Sequence, residues 1–109
     1  MNVANLETNL EEVSGLLKSI SNDKRLKILC ALQNGEKSVG NLESIVGLSQ
    51  SALSQHLARL RRDGLVKTRR DAQTIFYSTK GDKLSVLLTT LSRLYEEQKN
   101  LGDTSTALH

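Results

Sequence analysis

Residues 41–64 read NLESIVGLSQSALSQHLARLRRDG, and the rest of the chain is best understood from this stretch outward. Leu42, Ile45 and Val46 recur at i, i+3 and i+4, which predicts a short helix with one buried face. Gly47 can adopt the positive φ needed just past a helix end, so the chain turns there at little steric cost. Ser49 suits the N-cap of a second helix, where Leu53, Leu57 and Leu60 form the inward stripe. The outward side offers Gln50, Ser51, Ser54, Gln55 and Arg59, with His56 to one side. A merely solvated helix tends toward Glu and Lys pairs at i, i+4, yet no acid occurs from Gln50 to Arg62. Amides and hydroxyls near a helix N-terminus match base edges, and Arg matches guanine or phosphate. The pattern points to the recognition helix of a helix-turn-helix.

Two β-favouring runs follow, Leu65 to Arg70 and Thr74 to Thr79, separated by Asp71-Ala72-Gln73. A hairpin in that place makes a wing, with Arg69, Arg70 and Gln73 at its tip beside a duplex. From residue 59 to 83, Arg59, Arg61, Arg62, Lys67, Arg69, Arg70, Lys80 and Lys83 face only Asp63, Asp71 and Asp82. Such a local surplus is a phosphate-binding footprint. Arg61 and Arg62 suit phosphate contact, or Arg61 suits pairing with an acid near Asp63. Of Phe76 and Tyr77, which alternate across their strand, one belongs to the core and the other braces the wing.

The amino-terminal third is different. Leu6, Leu10, Val13, Leu16, Leu17 and Ile20 have helical spacing from Asn5 to Ile20, with Glu7, Glu11 and Glu12 near the start, where the helix dipole favours anions. A second helix is expected from Lys24 to Gln33, with Leu26, Leu29, Cys30 and Leu32 facing in, and Ser38 is placed to cap the helix that follows. The last helix, Asp82 to Asn100, carries Leu84, Leu87, Leu88, Leu91, Leu94 and Tyr95. The terminal helices hold more leucine than one small domain can cover. Pairing across a two-fold axis closes that strip, with Leu10, Val13, Leu17, Leu87, Leu91 and Leu94 as the expected interface. Two recognition helices would then lie roughly 34 Å apart, one turn of DNA.

With 109 residues and 38% hydrophobic content, the chain is long enough for one modest core. The expected division is a winged-helix DNA-binding and dimerisation domain over 1–100 and a flexible tail over 101–109. The fold class is mainly α with a small β-hairpin: a homodimeric winged helix-turn-helix of four helices, two strands and a fifth helix. A single cysteine excludes an internal disulfide. Cys30 reads first as a small buried hydrophobe, and second as a one-thiol redox switch that would need exposure. No apolar run reaches the ~18 residues that span a bilayer, so the expected place is the cytoplasm, without membrane contact. Nucleophile–base sets and phosphate-cradling glycine loops are lacking, so no enzyme and no cofactor are expected.

The string from Leu48 to Leu57, with Leu60-Arg61-Arg62-Asp63-Gly64-Leu65-Val66, resembles the ArsR/SmtB family of bacterial regulators. So do Lys24-Arg25-Leu26-Lys27-Ile28-Leu29 and Ile75-Phe76-Tyr77. The resemblance covers about Leu16 to Tyr95 and is closest to the branch with HlyU-like, BigR-like and NolR-like members. It implies a homodimeric repressor on an inverted-repeat operator in double-stranded DNA. It also implies that metal sensing is not expected, because Val39-Gly40-Asn41-Leu42-Glu43 has no thiol where the soft-metal sensors carry theirs. The last helix likewise has no histidine to serve as a ligand. The redox-responsive branch pairs a cysteine matching Cys30 with another after the Leu-Tyr of the last helix, where this chain has Glu96. A sulfur-responsive regulator through Cys30, or a winged helix used to bind protein, are the alternatives.

Overall fold

The computed structural model describes the backbone of residues 2–108 and side-chain surroundings through Glu96. Its elements are α1 (Ala4–Thr8), α2 (Leu10–Ile20), α3 (Asp23–Leu32), β1 (Lys37–Ser38), α4 (Val39–Val46), α5 (Gln50–Arg62), β2 (Val66–Asp71), β3 (Thr74–Thr79) and α6 (Lys83–Leu108). The helices surround one core built from Ile28, Leu29, Leu42, Leu53, Leu57, Leu60 and Leu84, to which Ile20, Leu32, Val46, Val66 and Leu88 add.

The expected first helix, Asn5 to Ile20, is two. Asn9 leaves helical geometry at φ −116°, ψ 28°, and its amide donates back to Leu6 O. Its side-chain Nδ2 also donates to Asn5 O at 2.7 Å. A short amide side chain that competes for nearby backbone carbonyls breaks a helix, and the apolar spacing hid this.

Helix α3 starts at a strong cap, where Asn22 Oδ1 accepts from the amides of Lys24 and Arg25, each at 3.0 Å. Its inward face is Arg25, Ile28, Leu29 and Leu32, so the sequence reading was partly out of phase. Cys30, expected in the core, is exposed. Cys30 lies off the face set by Ile28, Leu29 and Leu32, and Arg25 shares that face despite its charge. Its Nε donates to Ser19 O at 2.6 Å and its Nη2 to Lys18 O at 3.3 Å. There it satisfies carbonyls at the end of α2, where a cation is favoured.

Ser38 accepts from the Asn41 amide and starts α4, while Gly47 at φ 73° ends it in the left-handed conformation. Leu42 and Val46 are buried as expected, but Ile45 is 39% exposed. Ser49 then caps α5 by accepting from the Ala52 amide.

The hairpin has a third partner that the sequence reading missed. Strand β1 pairs antiparallel with β3 through Lys37↔Tyr77 and Ser38↔Phe76, giving the order β1-β3-β2. A strand of two residues is too short to show alternation. Strand β2 also runs on through Asp71, opposite Thr74, leaving a tight turn at Ala72-Gln73 with Ala72 at φ 55°. Arg70 and Arg69 therefore sit below the tip, opposite Ile75 and Phe76.

Helix α6 buries Leu84 and Leu88. Its backbone stays helical to Leu108, past the expected end at Asn100 and through most of the expected tail. No proline intervenes, and one interior glycine, Gly102, costs only about 1 kcal/mol. The side chains from residue 97 on, and His109 altogether, lie outside the described residues.

Near the junction of α2, α3 and α5, the buried Ser19 hydroxyl donates to Asp63 Oδ2 at 2.5 Å. With Arg59 and Arg62 also nearby, this hydrogen bond is the first reason that the Asp63 carboxyl titrates below its ordinary 3.8. A depressed carboxyl stabilises the fold fully above its unfolded pKa, and that stabilisation disappears as pH falls through the folded value. Ser19→Ala should therefore cost about 1–2 kcal/mol at neutral pH, the scale of one charge-assisted hydrogen bond. The gap to wild type should stay level down to about pH 5 and shrink as the pH falls below about 4. Urea unfolding of both proteins across that range checks it, and a gap that widens in acid would contradict the assignment.

Candidate nucleic-acid interface

Helix α5 is held by its leucines and presents most of its polar side chains. Leu53, Leu57 and Leu60 are buried, while Gln50, Ser51, Ser54, Gln55, Ala58, Arg61 and Arg62 are exposed. Helical phase divides the exposed residues. Gln50, Ser54, Ala58, Arg61 and Arg62 line a cleft of about 640 Å³ shared with Val39, Ile75 and Tyr77 on the wing side. Ser51 and Gln55 point outward beside Arg62. Ala58 leaves room at the middle of the cleft, so a flat or grooved partner can approach the backbone closely.

Two of the expected contact residues lie elsewhere. Arg59 faces away from the wing, with its Nε donating to Asp63 Oδ2 at 3.4 Å. It lines the opposite cavity beside Ser19 and Leu16 of α2. His56 is half-buried on that same flank by helical phase. Ser49 is exposed at the start of the helix, with its oxygen engaged as the cap.

The pleat sorts the wing. Val66, Thr68 and Arg70 share one face with their partners Thr79, Tyr77 and Ile75. Because Ile75 and Tyr77 line the cleft with α5, Arg70 lies on the recognition-helix face. Arg69 lies on the other face over Phe76, 4.6 Å from the ring centre. It also donates to Glu36 through Nε at 3.3 Å and through Nη2. This pair raises the Arg69 pKa and lowers that of Glu36. Phe76 is thus the residue that braces the wing, and Tyr77 packs against the core. Gln73 is exposed in the turn.

Helical phase and strand register therefore place Gln50, Ser51, Ser54, Gln55, Arg61, Arg62 and Arg70 on the recognition side, with Gln73 in the wing turn beside Asp71, and set Arg59, His56 and Arg69 apart from them. Arg61 and Arg62, which the sequence left open, belong to this side. Their signal was phase, since Arg61 is two helical turns beyond Ser54 and Arg62 two turns beyond Gln55. Arg62 also approaches Asp63 at 3.7 Å, but its side chain is 73% exposed, so the pairing is loose.

A second surface lies on the terminal helices. Leu6, Leu10, Val13 and Leu17 line an open apolar groove, and Leu10, Leu17 and Leu94 are 58%, 50% and 49% exposed. Val13 and Leu91 are half-buried, and Leu87 packs partly on the core. The pair Lys83–Glu12, 2.9 Å apart, ties α6 to α2. Among the described residues no set of His, Cys, Asp and Glu is grouped to hold a metal. Among those residues, too, no helix is long and apolar enough to cross a membrane.

The comparisons with known proteins agree with this geometry. Residues 22–68 match the signature described as "Bacterial regulatory protein, arsR family". The chain is 52% identical over 95 residues to the transcriptional activator HlyU of Vibrio cholerae, covering 87% of this chain and 88% of that one. It superposes on the transcriptional repressor BigR of Xylella fastidiosa with a TM-score of 0.82 at 40% identity, over 87% of this chain and 97% of the other. A homodimeric winged helix-turn-helix DNA-binding domain from Mycobacterium bovis matches with a TM-score of 0.75 at 27% identity, over 84% and 85% of the two chains. This protein belongs to the arsR family of bacterial regulatory proteins and is a DNA-binding transcriptional regulator of winged helix-turn-helix form.

Proposed function

We propose that the chain works as a homodimer that binds an inverted-repeat operator and represses transcription by occupying it. The observation that carries this reading is the cleft lined by Gln50, Ser54, Arg61 and Arg62, with Arg70 paired to Ile75 on the same face of the wing. Gln50, Ser51, Ser54 and Gln55 supply donors and acceptors for base edges in the major groove, while Arg61, Arg62 and Arg70 neutralise phosphates. Ser49 and Gln73 flank the recognition side, and His56, Arg59 and Arg69 play supporting parts within the fold.

The homodimer is supported by the exposed leucines of α2 and α6 and by the homodimeric Mycobacterium bovis relative. Leu10, Val13, Leu17, Leu91 and Leu94, with the edge of Leu87, form the proposed interface. Repression is supported by the name of the Xylella fastidiosa neighbour and by the simplest physics, since a dimer on a promoter excludes polymerase. The cytoplasm is the compartment where such a duplex is met.

Three substitutions separate base reading from phosphate contact. Gln55→Ala should cost about 1–3 kcal/mol on the selected operator and relax the preference at one base pair. Arg70→Ala should weaken operator and random duplexes alike and flatten the salt slope by about one. Arg69→Ala should leave that slope unchanged, because Glu36 already balances its charge. Fluorescence anisotropy over a salt series measures all three, and a slope that falls equally for both arginine variants would contradict the division.

The dimer is tested on its own. Leu10→Glu with Leu17→Glu should shift the sedimenting mass from twice 12.0 kDa to 12.0 kDa. Operator affinity should drop about 100-fold, since the second half-site is no longer tethered to the first. An unaltered mass would remove these residues from the interface.

A further inference from the structure

Asp63 is a poor choice by local rules. It follows the last residue of α5, where the helix dipole disfavours an anion, and it stands C-terminal to Arg59, the weaker order for an i,i+4 pair. It is also an acid beside the cations of the recognition side. What accounts for it is a contact 44 residues away in sequence, with the Ser19 hydroxyl at 2.5 Å. Ser19 is only 3% exposed and has one proton to give. The Gly15 carbonyl lies at 3.1 Å, but the carboxylate is nearer and charged, so it is the stronger acceptor.

The contact adds a direct polar link between two helices that both pack on α3. Helix α2 packs chiefly on α3, and α5 packs on α3, α4 and β2. Ser19–Asp63 bypasses α3 and ties the end of α2 directly to the end of the recognition helix. Both ends have further polar neighbours. Arg25 grips the Ser19 carbonyl at 2.6 Å, while Arg59 Nε at 3.4 Å and Arg62 Nε at 3.7 Å flank the Asp63 carboxylate. Two residues before Ser19 stands Leu17, half exposed on the apolar strip.

We infer that Asp63 and Ser19 are positioning residues that fix the angle between the recognition helix and the dimer axis, and so set the half-site spacing that the protein accepts. The inference rests on the homodimer reading above. A rigid link at this place matters because both recognition helices must meet the duplex in register, roughly 34 Å apart. A small rotation about the α3 contact moves the two helices in opposite senses, and the error doubles across the two-fold axis. Neither residue touches DNA in this account, and both act through the orientation of α5.

The probe is a duplex recovered from a randomised pool by the wild-type protein, then remade with its half-sites one base pair closer and one further apart. Wild type, Ser19→Ala, Asp63→Asn and Ser19→Thr are titrated against the three duplexes, with fold and mass checked by circular dichroism and sedimentation. The readout is the affinity ratio between original and altered spacings. It is insensitive to the even strengthening that follows when Asp63→Asn removes a negative charge. Ser19→Ala and Asp63→Asn should lower the ratio roughly tenfold, the scale of one charge-assisted hydrogen bond. Ser19→Thr, which keeps the hydroxyl, should retain it. If Asp63→Asn does not fold, the Ser19 pair alone decides. Variants that keep the wild-type ratio overturn the inference and leave the homodimer standing, whereas a wild type indifferent to spacing overturns both.

Discussion

The structure depends on the burial of three leucines on one side of α5. Leu53 and Leu60 are fully buried and Leu57 nearly so, and each contributes about 1.5–3 kcal/mol when taken out of water. The rest of that helix does little to stabilise itself. Its exposed positions are serines, glutamines, alanine and arginines, with no acid–base pair at i, i+4 before Asp63. A sequence chosen for helix stability would carry such pairs. Here packing holds the helix, and the free side is available for recognition because the leucines have already fixed its position.

The same economy governs charge. Acids in this half of the chain are not spread to neutralise the basic residues evenly, but are placed to hold particular ones. Glu36 holds Arg69 over Phe76 and so stiffens the wing, while Asp63 holds Arg59 against the side of α2. Among the described residues, Arg61 and Arg70 form no salt bridge, and Arg62 only a loose one. The mild net charge of +3 therefore conceals a sharp division between cations that belong to the fold and cations left for a polyanion. For exposed pairs of this kind the contribution to stability is small. Their effect is on direction: they decide which way a guanidinium points.

Much of this was legible in the sequence, because the decisive signals were periodic and local. The helix–turn–helix followed from two apolar stripes, Gly47 and the Ser49 cap, and each is found where it was expected except Ile45, which is exposed. The hairpin followed from two β-favouring runs. What the sequence hid were features decided by tertiary partners or by side chains that compete with the backbone. Asn9 breaks a helix that its neighbours' spacing would continue. Arg25 occupies an inward position because α2 offers it carbonyls, and Cys30 lies off that face, in solvent. Strand β1 exists only because β3 has an open edge beside it. In the site, polarity alone grouped Arg59 with Gln55 and Arg69 with Arg70. The phase of the helix and the pleat of the strand separate them, but only once the directions of α2 and of the cleft are known.

The two surfaces also explain each other. A recognition edge built from short polar side chains gives only a few base contacts per subunit, which is too little for selective binding against a genome of competing sites. In the proposed homodimer, selectivity comes from requiring two such edges at once, and that requirement has force only if their separation is fixed. The apolar strip of α2 and α6 lies at the other end of the molecule's rigid connections. Glu12–Lys83 ties the two strip helices together, Arg25 ties α2 to α3, and Ser19–Asp63 ties α2 to α5. A looser body with the same contact residues would bind DNA as readily but would discriminate less. The polar links inside this small domain are therefore better understood as constraints on geometry than as contributions to stability.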